Sequence, residues 1–153
     1  MDKAQSFRQH LIDHVPELKE NPDKLHTFIE KGNVVARFSS LNWEYRYQLS
    51  ILVTDYAAHP DTLFLPIMCW VAQHQPQLLQ NPDKSESDIA FEAEPIDHDK
   101  YDISINLPLT ESVRVEKTGN QYQITHLPEP DLADLTGTSP WQIILQYVDV
   151  PEV

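Results

Sequence analysis

A chain of 153 residues with 41% hydrophobic content is long enough for one packed core and is globular rather than disordered in composition. Its 11 Lys and Arg against 24 Asp and Glu give a formal charge of −13, which argues against the concentrated cationic surface that nucleic-acid recognition needs. Cys69 is the only cysteine, so a disulfide within the chain and a zinc site built on several thiolates are both excluded.

The chain opens on a predicted helix, with Asp2 as its cap and Gln5 as capping-box partner. Phe7, Leu11 and Val15 share one face at four-residue spacing, and Leu18 extends it. His10 and His14 are also four apart, a spacing that can hold a metal on one helix face. No third ligand is evident, so a solvent-facing helix surface is the expectation and no metal is assigned. No apolar stretch typical of a signal peptide follows the start, so none is expected, and assembly in a cytoplasm is the expected setting.

Residues 21–24 (Asn-Pro-Asp-Lys) end this helix, because proline cannot continue it. A short strand is predicted over 25–29, a hairpin turn at Lys31-Gly32-Asn33, and a returning strand over 34–38. The central strand follows. Tyr45, Tyr47, Leu49, Ile51 and Val53 alternate with Glu44, Arg46, Gln48, Ser50 and Thr54 on the other face, broken only by Leu52. After the turn at residues 57–60, Asp61 is the predicted cap of a second helix on which Leu63, Ile67, Trp70, Val71 and His74 recur.

That second helix is apolar nearly all round in its first turns, where one sheet face would cover only a stripe. The extra cover comes either from another layer of the same chain or from another copy. Phe64 and Met68 are therefore expected to face a neighbouring subunit. Its exit, residues 76–84, repeats residues 16–24 at six of nine positions, which reads as one helix-stop chemistry used twice. Further strands are predicted over 89–94 and 101–107, around an acidic turn with Asp97 and Asp99. A last hairpin, 111–117 with 121–126, turns on Gly119.

From residue 128 the character changes. Prolines at 128, 130 and 140 mark a linker, and residues 141–150 are apolar again. The expected division is an α/β body over 1–127 and a linker with an apolar arm over 128–153. Trp141, Ile143 and Leu145 on the arm either dock on a neighbouring subunit or fold back on their own sheet.

Catalytic motifs are missing. Gly32, Gly119 and Gly137 stand far apart, so no glycine-rich phosphate loop is available. Cys69 lies in an apolar helical run and reads as a small buried hydrophobe. No cofactor and no enzymatic activity are expected, although spatial meetings of histidines and carboxylates are not legible from sequence. The longest apolar run, 63–72, is broken by Pro66 and is far short of a membrane span of roughly 20 residues.

Several separated segments carry a resemblance. They are residues 44–56 (EYRYQLSILVTDY), the His59-Pro60-Asp61 turn with Leu65-Pro66 and Trp70, and the Gln75-Pro76 helix end. Asp102-Ile103-Ser104-Ile105 leading to Leu109-Thr110-Glu111, and Glu129-Pro130, complete the set. In that combination and order the chain resembles the tail completion protein R family of P2-like contractile-tailed phages, from the first helix through residue 130. The resemblance implies an α+β fold like that of tail terminators: a mixed, mostly antiparallel sheet with two main helices on one side. It implies a structural protein of an infectious phage, a prophage or a phage-tail-like bacteriocin, acting at the end of the tail that receives the head. The protein would form a ring there, expected to be a hexamer, in contact with the tail tube, sheath or head-joining proteins. Neither sequence-specific nucleic-acid binding nor membrane insertion is implied. In such a ring the acidity acquires a use, because Asp83, Glu86, Asp88, Asp97 and Asp99 could line a lumen that repels DNA phosphates. Plain solvated faces are the simpler account of the same charge. A cytoplasmic adaptor or chaperone-like module of tail assembly is the alternative function.

Overall fold

The computed structural model describes residues 1–80 and 89–129. The acidic candidates Asp83, Glu86 and Asp88 and the arm residues Trp141, Ile143 and Leu145 lie outside them. The elements run α1 (Asp2–His14), α2 (Pro16–Glu20), β1 (Leu25–Ala36), β2 (Trp43–Tyr56), α3 (Asp61–His74), α4 (Gln77–Gln80), β3 (Ala90–Asp97), β4 (Lys100–Thr118) and β5 (Gln121–Leu127). The fold is α+β, with every strand pairing antiparallel.

β2 sits between β1 and β4. β3 and β5 share the outer edge of β4, β3 along residues 100–106 and β5 along 112–118. The inward row of β2 is Tyr47, Leu49, Ile51 and Val53, and that of β4 is Ile103, Ile105, Leu107 and Leu109. α1 and α3 cover these rows with Phe7, Leu11, Leu63, Ile67 and Trp70, all fully buried. Phe7 meets Trp70 edge-on at 5.1 Å, and the Trp70 indole N–H donates to Ser6 Oγ at 3.1 Å. The opposite sheet face is mostly polar, with Phe28 and Val35 exposed on it. There Ser50 bonds both Glu30 and Asn106, which joins three strands.

Three local expectations are corrected. The hairpin at Lys31-Gly32-Asn33 does not exist: β1 runs straight through it, and the reversal comes at residues 37–42. Between Glu30↔Gln48 and Asn33↔Arg46, β1 advances three residues while β2 advances two, so the segment is a β-bulge. Lys31, not the glycine, takes the positive φ of 52°. Residues 101–107 and 111–117 are one 19-residue strand, not two. Pro108 is tolerated there because it falls in the gap between β3 and β5, where no strand among the described residues pairs with that edge. The first helix also breaks earlier than expected. Val15 is extended (φ −107°, ψ 110°), and Pro16 starts the short α2.

The two copies of the repeat both place a short helix after a proline, with Leu18 and Leu78 buried at matching positions. The Gly119 turn is as expected, with φ of 64° at the glycine.

Candidate functional site

Asp2 does not cap α1. The helix start is capped by Glu111, an inward residue of β4 that is 4% exposed. Glu111 Oε1 accepts the backbone N–H of Asp2 at 2.9 Å and that of Lys3 at 3.4 Å, while Oε2 accepts the Tyr47 hydroxyl at 2.6 Å. A carboxylate at a helix N-terminus satisfies otherwise unpaired donors and meets the positive end of the helix dipole. Burial first, and then the bond to this carboxylate and its charge, drive the Tyr47 phenol well above its ordinary range.

Beside it lies a second polar node. Lys3 Nζ donates to Gln75 Oε1 and to Glu129 Oε1, both at 2.8 Å. Gln75 Oε1 also accepts the Thr110 N–H at 3.2 Å, and Gln75 Nε2 donates to Thr110 Oγ1 at 3.1 Å. Gln75 thus fills the gap that β3 and β5 leave on the edge of β4. Gln77 Nε2 closes the node on Glu129 Oε2 at 2.7 Å. Gln75, Thr110, Glu111 and Glu129 belong to three of the segments singled out in the sequence, and here they meet around Lys3.

Asp2, Glu111 and His126 bring three potential ligand atoms within 4.8 Å of one another. Both oxygens of Glu111 are already hydrogen-bond acceptors, and Lys3 supplies the local cation. The cluster therefore reads as part of the node and not as a metal centre. His10 and His14 do not converge on a ligand. His10 Nε2 bonds the Pro66 carbonyl at 2.9 Å, His14 Nδ1 bonds the His10 carbonyl at 2.9 Å, and the rings lie 4.4 Å apart. Desolvation first, and then the neighbouring His14, push the His10 pKa down to about 4. Cys69 is fully buried and its thiol pKa is raised by desolvation, as suits a core residue.

The two ends of the sheet differ. At the end where β2 runs into α3, an open groove of about 770 Å³ lies between the His59-Pro60 turn and β3. Its floor is Phe64 and Phe91, with rings 5.1 Å apart. Asp61 and Asp99 stand on its rim. The turn is held by Glu17, whose carboxylate accepts the N–H groups of Ala57 and Ala58. Phe64 is half-buried in the groove, Met68 is half-buried further along α3, and Asp97 and Asp99 are exposed on the β3–β4 turn. At the far end the helices do not reach. Val34, Ile124 and Tyr122 are each at least 60% exposed on the helix side of the sheet, and Phe38 and Leu41 protrude from the β1–β2 tip. The sequence singled out Phe64 and Asp99 of the groove, but not the groove itself nor the β1–β2 tip. The signal for the tip was available in Phe38 and Leu41, apolar residues inside a turn that should be polar.

Comparison with known proteins bears on what these surfaces serve. A family model described as P2 phage tail completion protein R (GpR) matches residues 1–130. The tail completion protein R of Escherichia phage P2 is 33% identical over 131 residues, covering 85% of this chain and 84% of the relative. No solved structure matches.

Proposed function

The chain belongs to the P2 phage tail completion protein R family, and from that membership we propose that it caps the head-proximal end of a phage tail tube as a homo-oligomeric ring and readies it for head joining. The observation that carries the reading is the family match over residues 1–130, which takes in every described element. The buried polar nodes support a structural role without catalysis. Apart from His126 Nδ1, which is buried without a hydrogen-bond partner, their donors and acceptors bond one another and tie the chain start, the α3 exit and β4 together. The apolar surfaces left open at both sheet ends suit a subunit completed by neighbours. Phe64 belongs to one of them, and Met68 and the arm residues Trp141, Ile143 and Leu145 are further candidates for subunit contact. Exposed carboxylates such as Asp97, and the acidic residues Asp83, Glu86 and Asp88, would give the ring an anionic passage that DNA phosphates do not grip.

The test is location. The tagged chain is expressed in the phage or prophage that carries it, and gold-labelled tails are imaged by electron microscopy. Label confined to the head-proximal end is expected. Unlabelled tails, with the chain left in solution, would replace the cap by an adaptor or chaperone-like role.

A further inference from the structure

The β1–β2 tip and the Phe64–Phe91 groove are complementary, yet one molecule cannot bring them together. The tip, residues 37–42, directly precedes β2, and the groove begins directly after it. The 14 residues of β2 hold the two roughly 45 Å apart. We propose that the tip of one copy seats in the groove of a second copy, with Phe38 against Phe64 and Phe91 and with Arg37 facing Asp61 and Asp99.

Shape and charge both select this occupant. Phe38 is fully exposed and Leu41 is 60% exposed, so the tip presents an apolar knob where turns are ordinarily polar. Phe91 is 58% exposed and packs against Phe64 only at an edge, which leaves aromatic faces open to a third ring. Charge is divided along the sheet. Residues 55–61 and 97–102 hold five aspartates (Asp55, Asp61, Asp97, Asp99 and Asp102) against Lys100 alone. At the other end, Arg46 pairs with Glu44 at 2.6 Å, while Arg37 has no ion pair among the described residues. In a chain of net charge −13, an unpaired arginine beside an exposed phenylalanine is drawn to the acidic end of its own kind.

The contact joins two different surfaces, so it is heterologous. Repetition closes into a ring or runs into a filament, according to the rotation per step. A hairpin tip buries less than the roughly 1,200 Å² of a stable interface, so one joint is weak and ring closure on a tube end supplies the avidity. The inference deepens the ring reading and rests on it for closure, not for the contact itself. It takes Asp99 into the joint and leaves Asp97 on the passage wall.

The test uses two full-length variants, Phe38→Cys and Ala58→Cys. Native Cys69 is buried and stays out of reach of the oxidant. Each variant is oxidised alone and as an equal mixture, both as concentrated protein and on tails that carry the chain. The mixture is expected to form disulfide-linked dimers at least about tenfold faster than either variant alone. Arg37→Glu should abolish the gain, and Asp99→Arg added to Arg37→Glu should restore it. A mixture no faster than the single variants in both settings overturns the contact. Label at tail ends without this cross-link rejects only the contact, whereas a cross-link in a chain absent from tail ends rejects only the cap.

Discussion

At the scale of single residues, Glu111 holds the most structure. Glu111→Ala leaves Asp2 N–H, Lys3 N–H and the Tyr47 hydroxyl without their acceptor. Such buried groups cost about 1–3 kcal/mol each when orphaned, so a loss of about 3 kcal/mol in urea unfolding is expected. Glu111→Gln keeps the shape and one acceptor oxygen and should lose about half as much. An alanine variant as stable as the parent would dismiss the capping role. This residue was half legible: a lone charge in the inward row Ile103, Ile105, Leu107, Leu109, Glu111, Val113 needs a partner. Its partner was not legible, because it lies 109 residues away at the chain start. His10 yields a pH prediction. Its folded pKa of about 4 lies below the ordinary value of 6.5, so the folded state prefers the neutral ring. The stability it secures is complete above pH 6.5 and is lost as pH falls towards 4. Denaturation midpoints compared between pH 7 and pH 5 should fall less for His10→Gln than for the parent. Equal slopes would mean that the histidine is not held neutral by the fold.

At the scale of elements, periodicity located what packing alone decides. The alternation in β2 and the helical spacing in α3 were legible because each buries one face, and the residues named from sequence are buried there except Tyr45 and His74 at the ends, which are half-buried. The β1 bulge was not legible. Lys31-Gly32-Asn33 has turn chemistry, and only pairing with β2 on both sides of it converts a turn into one extra residue. The same register argument predicts the outcome of deleting Gly32. A regular ladder steps two residues for two, so Val34↔Tyr45 and Ala36↔Trp43 stay paired with their faces unchanged. The deletion also removes the need for Lys31 to hold φ of 52°, a strain of about 1 kcal/mol. Stability within about 1 kcal/mol of the parent is expected by urea titration. Deleting Gln48 instead shifts one half of β2 by a single residue, turns its inward row outward and should unfold the sheet. If both deletions unfold the protein, the bulge is an obligatory bend and not a spare residue.

At the scale of the whole molecule, the two main helices cover only the middle of one sheet face. Among the described residues the fold therefore has a closed centre and two chemically different ends. Composition announced the net acidity but not its partition, because partition depends on which turns the strands bring to the same end. The boundary of the closed centre can be tested at Glu129. Lys3 Nζ is nearly enclosed, with a side chain 11% exposed, and Glu129 is the carboxylate that balances its charge. Gln75 Oε1 still accepts from Lys3 in a chain cut after residue 127, but the ammonium then lacks a counter-ion and Gln77 lacks its acceptor. A chain ending at residue 130 should fold cooperatively with the pairings described here. One ending at 127 should be less stable by about 2 kcal/mol, the cost of leaving a largely buried charge unpaired. In the longer fragment, Glu129→Gln should reproduce most of that loss, because it removes the charge and keeps the chain. If Glu129→Gln is silent while truncation is costly, residues 128–130 act by covering apolar surface. The margin of the body would then be set by packing and not by the Lys3 ion pair.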